Sequence, residues 1–198
     1  MMGAARHFRF FAGAADKVFG KTVQNMGDVS CYTRKEPYGV VAAISPWNFP
    51  FLMSTFKIAA PLAAGNTVVL KPSEITPLTT LFLGSLIIEA GIPAGVVNFV
   101  PGYGHIAGEA LARHPRIGKI SFTGSTRVGR LILKASSETN LKKVSLELGG
   151  KSPLIVFADS DLSKVFNNLF IASFWNSSQC CVAGTRIFVQ EPIYEVFL

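Results

Sequence analysis

From Val40 onward the chain alternates short, β-branched apolar runs with longer stretches of helical periodicity, and this alternation constrains the fold more than any other feature. The runs at 39–44, 67–70, 96–100, 119–122 and 144–148 have the length and composition of buried strands. Helical patterns at 51–64, 77–89, 105–113 and 127–136 separate them, with Gly65 and Gly91 as stops and Thr76-Pro77 as a start. Such a succession predicts an α/β fold, a parallel sheet with helices on both faces.

Elements of a different kind flank this unit. Residues 1–18 read as a helix, and 21–23 with 29–34 as a strand pair turning at 25–28, outside the parallel sheet. Beyond it, a strand at 154–157, a helix from 160 to about 174 and a strand at 187–190 begin a second α/β unit, which 194–197 leave at the opening of another helix.

Composition removes several classes of function. Apolar residues make up 49% of the 198 and charged residues 16%, the balance of a compact globular protein without low-complexity tracts. The formal charge of +7 comes from 19 basic against 12 acidic residues, but the basic ones are scattered, so no nucleic-acid partner is expected and a phosphate-bearing cofactor is a sufficient anionic one. Cys31, Cys180 and Cys181 form no disulfide framework, which places the chain in a reducing compartment. No apolar stretch reaches the length of a membrane span, and the arginine-bearing start reads as an ordinary helix rather than a transit peptide. His7, His105 and His114 lack metal-ligand spacing, so no metal site is expected.

Chemistry enters with two thiols and a carboxylate. Cys180 and Cys181 stand in Asn176-Ser177-Ser178-Gln179-Cys180-Cys181-Val182-Ala183-Gly184, and Glu147 in the otherwise apolar, glycine-rich Leu146-Glu147-Leu148-Gly149-Gly150. A thiol with a base points to covalent catalysis. A carboxylate among such neighbours is expected to be partly desolvated, with its pKa raised; the plainer alternative is an ion pair with Lys143 or Lys151. Gly124-Ser125-Thr126-Arg127-Val128-Gly129 follows a strand and opens a helix, where backbone N–H groups and the helix dipole receive a pyrophosphate. Gly102-Tyr103-Gly104-His105-Ile106-Ala107-Gly108 only approximates a dinucleotide fingerprint, because its last glycine is one residue late and it follows the third strand.

Together with Pro46-Trp47-Asn48-Phe49-Pro50 and Lys71-Pro72-Ser73-Glu74, these runs resemble the NAD(P)-dependent aldehyde dehydrogenase superfamily over nearly the whole chain. The resemblance implies oxidation of an aldehyde to a carboxylic acid through a cysteine thiohemiacetal and thioester. It assigns Cys181 as nucleophile, Glu147 as general base and the Asn48 amide with the Cys181 backbone N–H as oxyanion donors, with Cys180 at a variable position; Cys31 reads as structural or incidental. It implies cofactor contacts from Ile44, Ser45, Pro46, Trp47, Lys71, Glu74, Gly124, Ser125, Thr126, Val128, Gly129 and Leu148, with a minor one from Gly104. A carboxylate at Glu74 repels a 2′-phosphate, so NAD is preferred over NADP. Phe49, Met53, Phe56 and Trp175 line the implied substrate path, which suits an apolar aldehyde.

The implied domains are a helix of the cofactor domain (1–18), an oligomerisation hairpin (19–37), an NAD-binding Rossmann-like domain (38–149) and the incomplete start of a catalytic domain (150–198). A full-length protein of this kind is expected to be a cytoplasmic homodimer or homotetramer, with the mitochondrial matrix as the alternative compartment. Two departures stand out: length, and Ser178 where the family commonly has glycine, which adds strain if that position has positive φ. Hence a second expectation, a truncated, inactive nucleotide-binding or interaction fragment.

Overall fold

The structure, a computed structural model, describes residues 2–24 and 27–198. The chain divides into two compact units, residues 1–147 and 148–198.

The first unit opens with α1 (Met2–Ala14) and an antiparallel pair, β1 (Thr22–Val23) with β2 (Cys31–Tyr32). The helix ends four residues before the expected position 18, in tighter turns from the Ala15 N–H to the Ala12 carbonyl and the Lys17 N–H to the Ala14 carbonyl, and the Lys17 ammonium caps the Gly13 carbonyl at 2.6 Å. Of the expected turn at 25–28, Asn25 and Met26 lie outside the described residues.

The sheet domain then follows the predicted alternation: β3 (Val40–Ile44), α2 (Pro50–Ala63), β4 (Thr67–Lys71), α3 (Leu78–Glu89), β5 (Val97–Phe99), α4 (Glu109–Arg113), β6 (Lys119–Gly124), α5 (Thr126–Ser137) and β7 (Lys143–Leu148). A π-type turn at Gly104–Gly108 replaces the first half of the helix expected at 105–113. The strand order is β5-β4-β3-β6-β7, and the pairs β3–β4, β3–β6 and β4–β5 are parallel. Connections run one way from β3 and then return to its other side, which leaves a crevice at the carboxyl ends of β3 and β6.

Strand alternation decides what each face does. Ala43 lies opposite both Leu70 and Ser121. Ala43, Val68 and Leu70 bury against Ile58 of α2 and Leu83 of α3, with Phe51, Leu62 and Phe99 packed around them. Ile120 and Phe122 turn to the opposite face, as do the buried Ala112 of α4 and Ile132 and Ala135 of α5. Burial on both faces is why β3 and β4 read as near-continuous apolar runs.

In the second unit β8 (Ser152–Val156), α6 (Leu162–Phe174) and β9 (Gly184–Val189) form a β-α-β unit with parallel strands, followed by α7 (Tyr194–Phe197). The Asp161 carboxylate caps α6 through the Ser163 N–H at 3.1 Å. A register shift falls at Ser152/Pro153, where proline has no N–H to give the ladder. No helix among the described residues is long and apolar enough to cross a membrane.

Candidate active site

Three strand ends meet at the crevice of the first unit. Ile44 pairs with Lys71 on one side and Phe122 on the other, and the Ser45 N–H continues the ladder to the Lys71 carbonyl at 3.1 Å. From here the chain enters Pro46, the exposed Trp47 and the half-buried Asn48 before α2 starts at Pro50. β6 ends at Gly124, and Ser125 caps α5 by accepting the Val128 N–H at 3.3 Å. A side chain at position 124 would force a shift, since a Cβ would lie 2.5 Å from the end of the Phe122 ring. Gly129, one turn into α5, is buried and closes the first turn onto the Ser125 carbonyl at 3.0 Å.

Next to this lies an ion pair. The Lys71 side chain is 3% exposed, and its ammonium contacts Glu74 Oε2 at 3.0 Å and the Pro72 carbonyl at 2.9 Å. The Gly104 N–H donates to Glu74 Oε1 at 3.4 Å, which gives that glycine a definite place. A hydrogen bond from its own backbone N–H holds Glu74 below the usual carboxylate range against a smaller desolvation effect, and Lys71 and Gly104 add to the lowering. Glu74, Pro77, Pro101, Gly102 and Tyr103 line an open cavity of about 330 Å³. Two buried hydroxyls here, Thr76 Oγ1 and Thr123 Oγ1, have no hydrogen-bond partner.

On the α2 face of the sheet stands a cation the sequence did not flag. Lys57 is 5% exposed, and its ammonium donates to Ser121 Oγ at 3.0 Å. Burial pushes its pKa down to about 8, while the negative charge of Glu147 pulls it the other way. Glu147 itself is exposed, so the expectation of a desolvated carboxylate does not hold: β7 is an edge strand, and its residues 144–146 and 148 are half-buried while Glu147 is not. Among the described residues no ion pair joins Glu147 to Lys143.

In the second unit Cys181 is a free, exposed thiol and Cys180 a free, half-buried one. Their loop leaves α6 through Asn176, Ser177 and Ser178, all left-handed, with φ of 51°, 55° and 62°. The condition set from sequence for strain at Ser178, a positive φ, is therefore met, as one of three in succession. Ser178 Oγ holds the turn by donating to the Ser173 carbonyl at 2.8 Å, and Ser173 Oγ donates to Gly184 at 2.9 Å. Gly150 approaches this loop, since a Cβ there would lie 3.7 Å from the Cys181 carbonyl oxygen.

Comparison with known proteins places this arrangement. The family described as "Aldehyde dehydrogenase family" matches residues 1–198. The chain belongs to the aldehyde dehydrogenase family. It is 55% identical over 196 residues to "Retinaldehyde dehydrogenase 3" of Homo sapiens, covering 99% of this chain and 38% of that protein. It is 57% identical over 195 residues to "Aldehyde dehydrogenase" of Enchytraeus buchholzi, covering 98% of this chain and 39% of that protein. The solved NAD+ complex of an aldehyde dehydrogenase from Bacillus cereus superposes with a TM-score of 0.95 at 47% identity, covering 99% of this chain and 40% of that one. The chain thus spans less than half the length of these relatives.

Within this chain, the residues named from sequence fall into two sets. Ile44, Ser45, Pro46, Trp47, Asn48, Lys71, Glu74, Gly104, Gly124, Ser125, Thr126, Val128 and Gly129 belong to the first unit, where the carboxyl ends of β3, β4 and β6 gather them, and Glu147 ends that unit on β7. Leu148 and Cys181 belong to the second. Phe56, named for the substrate path, packs its ring at a tilt against His7 of α1, with ring centroids 4.3 Å apart. Lys57 was missed, yet a signal existed: it is the lone charge in the fourteen residues of α2.

Proposed function

We propose that this chain carries the nucleotide crevice and the reactive thiol of an NAD-dependent enzyme that oxidises an aldehyde to a carboxylic acid. The observation that carries the reading is an exposed free thiol, Cys181, on a loop of three left-handed residues, in a chain that also builds a dinucleotide crevice. The residues present fit NAD. Lys71 and Glu74 offer a cation and a carboxylate to ribose hydroxyls, the first turn of α5 offers N–H groups to the pyrophosphate, and Thr123 Oγ1 is a buried hydroxyl lacking a partner at the end of β6. The Glu74 carboxylate disfavours a 2′-phosphate, so NAD is preferred over NADP.

When bound, NAD supplies the acceptor for the hydride that the aldehyde loses. The chain's own residues do the rest. Cys181, as thiolate, attacks the carbonyl carbon to give a thiohemiacetal, and the Asn48 amide donates to the oxygen that becomes negative. Loss of hydride leaves a thioester on Cys181. Glu147 takes a proton from water, whose oxygen attacks the thioester, and release of the acid restores the thiolate. Lys57, with a pKa near 8 and the charge of Glu147 acting on it, is suited to hold or release a proton as Glu147 changes charge.

The apolar aldehyde suggested by Phe49, Met53 and Trp175 is part of the same reading, and "Retinaldehyde dehydrogenase 3" among the relatives agrees with it. A second reading rests on α6, where Phe166, Phe170, Ile171 and Phe174 are 46%, 66%, 62% and 56% exposed. An apolar face of this kind favours a partner chain that covers it, and the second reading is therefore a catalytically inactive nucleotide-binding or interaction fragment.

The test is NADH formation with a broad aldehyde by wild type, Cys181→Ser and Cys180→Ser. Cys181→Ser is expected to lose roughly a thousandfold or more, while Cys180→Ser keeps most of the activity. Equal effects would remove Cys181 from its role. A stable chain that binds NAD without turnover would favour the second reading.

A further inference from the structure

The loop that carries Asn48 is fastened at both ends by the same buried hydroxyls. Alternation along β3 turns Ser45, two residues beyond Ala43, to the α2 face. There Ser54 Oγ, from the second turn of α2, lies 3.1 Å from Ser45 Oγ, 2.6 Å from the Pro50 carbonyl oxygen and 3.0 Å from Thr80 Oγ1 of α3. Thr80 Oγ1 also donates to the Pro50 carbonyl, at 3.1 Å. Ser45 is 2% exposed, and Ser54 and Thr80 are 0% exposed. One end of the segment 46–49 is therefore tied through Ser45 and the other through the carbonyl of Pro50.

Helix formation alone does not require this arrangement. Phe49, at the N-cap, makes no side-chain capping bond, so α2 starts without the usual anchor. A serine inside a helix that bonds back to the carbonyl four residues earlier is neutral to slightly unfavourable for the helix itself. A threonine hydroxyl from a different helix reaching the same carbonyl adds nothing to helix propensity either. What the three hydroxyls do in common is fix where the chain leaves β3 and where it enters α2, with Trp47 and Asn48 between. Buried and mutually bonded, they have no water to exchange with, and such networks specify a single arrangement.

The geometry points to Ser54 and Thr80 as positioning residues that hold the Asn48 amide in place to meet the developing alkoxide. The inference rests on the reading of Asn48 given above, and its test separates the two. Trp47, next to Asn48, reports on the loop. In a Trp175→Phe background it is the sole tryptophan, and its fluorescence anisotropy decay follows the motion of the segment without any turnover.

In the wild-type loop Trp47 is expected to tumble with its unit. Ser54→Ala combined with Thr80→Val is expected to add a fast component to the decay, and Thr80→Ser, which keeps the hydroxyl, to leave it unchanged. In aldehyde turnover, measured without the tryptophan change, the double variant is expected to lower kcat by up to about 100-fold with little change in KM. Ser136→Ala is the control: it deletes a buried hydroxyl bonded to the Lys142 carbonyl at 2.8 Å, so stability falls while the Trp47 decay and kcat stay as they were. A Trp47 decay unchanged in the double variant overturns the clamp, whatever happens to turnover. A loosened Trp47 with unchanged kcat upholds the clamp and overturns the role of Asn48. Should the double variant fail to fold, Thr80→Val alone carries the same measurement.

Discussion

The first unit buries the ammonium of Lys57, a cost in a side chain, whereas the second carries the left-handed run Asn176, Ser177 and Ser178, a cost in backbone. Both lie close in sequence or space to residues assigned to chemistry, but the two kinds of cost behave differently. Desolvation of a cation disappears when the proton leaves, so it varies with pH. Backbone strain of about 1–2 kcal/mol per left-handed residue does not. The contrast separates a device that can exchange a proton from one that only fixes the direction of a loop.

Lys57 gives the largest test of this contrast. Its folded pKa, about 8, lies below its ordinary 10.5, so between these values the unfolded chain holds the proton and the folded one does not. The unfolded state then binds more protons, and stability rises with pH across that window, by at most about 3 kcal/mol for the full shift. Below pH 8 both states are protonated and the penalty is complete. Lys57→Met is expected to shrink this rise and to stabilise the first unit at neutral pH, in urea unfolding followed at several pH values; burial lowers the Lys142 pKa as well, so a smaller rise remains. An undiminished rise in Lys57→Met would assign it to other groups and end the contrast.

Glycines sharpen the comparison at the next level. Position 124 in the first unit has no room, with a prospective Cβ 2.5 Å from the Phe122 ring, while position 150 in the second offers ordinary contact at 3.7 Å. Gly124→Ala is expected to cost about 1–3 kcal/mol by overpacking. It should also weaken NAD binding, read by fluorescence titration, because Phe122 or the start of α5 must shift. Gly150→Ala is expected to change stability by far less. If both variants behave alike, the close packing at the end of β6 is not what sets that turn.

The same division governs what sequence alone revealed. The five strands of the sheet and most helices were legible because each is a β-branched run or a periodic stretch whose partners follow from simple connection rules, and their ends then gathered Lys71, Glu74 and Ser125. Lys57 was not, since a lysine in a helix ordinarily reaches solvent, and only the Pro50–Ala63 helix seated on β6 shows that this one cannot. Ser54 and Thr80 were hidden for a similar reason: two hydroxyls from different helices meet only after folding. Glu147 misled in the other direction, because apolar neighbours in sequence do not bury a residue on an edge strand. Ser178 was legible only against the family's glycine, while the left-handed φ of Asn176 and Ser177 left no mark in the sequence.

The smallest effect is expected at Ser178, where two terms oppose each other. Ser178→Gly relieves a left-handed residue, about 1–2 kcal/mol, but gives up the hydrogen bond to Ser173, about 0.5–1.5 kcal/mol, and adds freedom to the unfolded chain. The balance lies near zero. Ser178→Ala keeps the strain and loses the bond, so it is expected to destabilise the second unit by about 1 kcal/mol in the same urea measurement. The informative quantity is the difference between the two variants, which cancels the hydrogen bond and isolates the backbone. If Gly exceeds Ala by about 1 kcal/mol at every pH from neutral to alkaline, strain in the thiol loop is independent of pH, in contrast to the penalty on Lys57. If Gly and Ala are equal, the strain at position 178 is no larger than the freedom that glycine adds to the unfolded chain, and the serine hydroxyls do more than the backbone to hold the loop that carries Cys181.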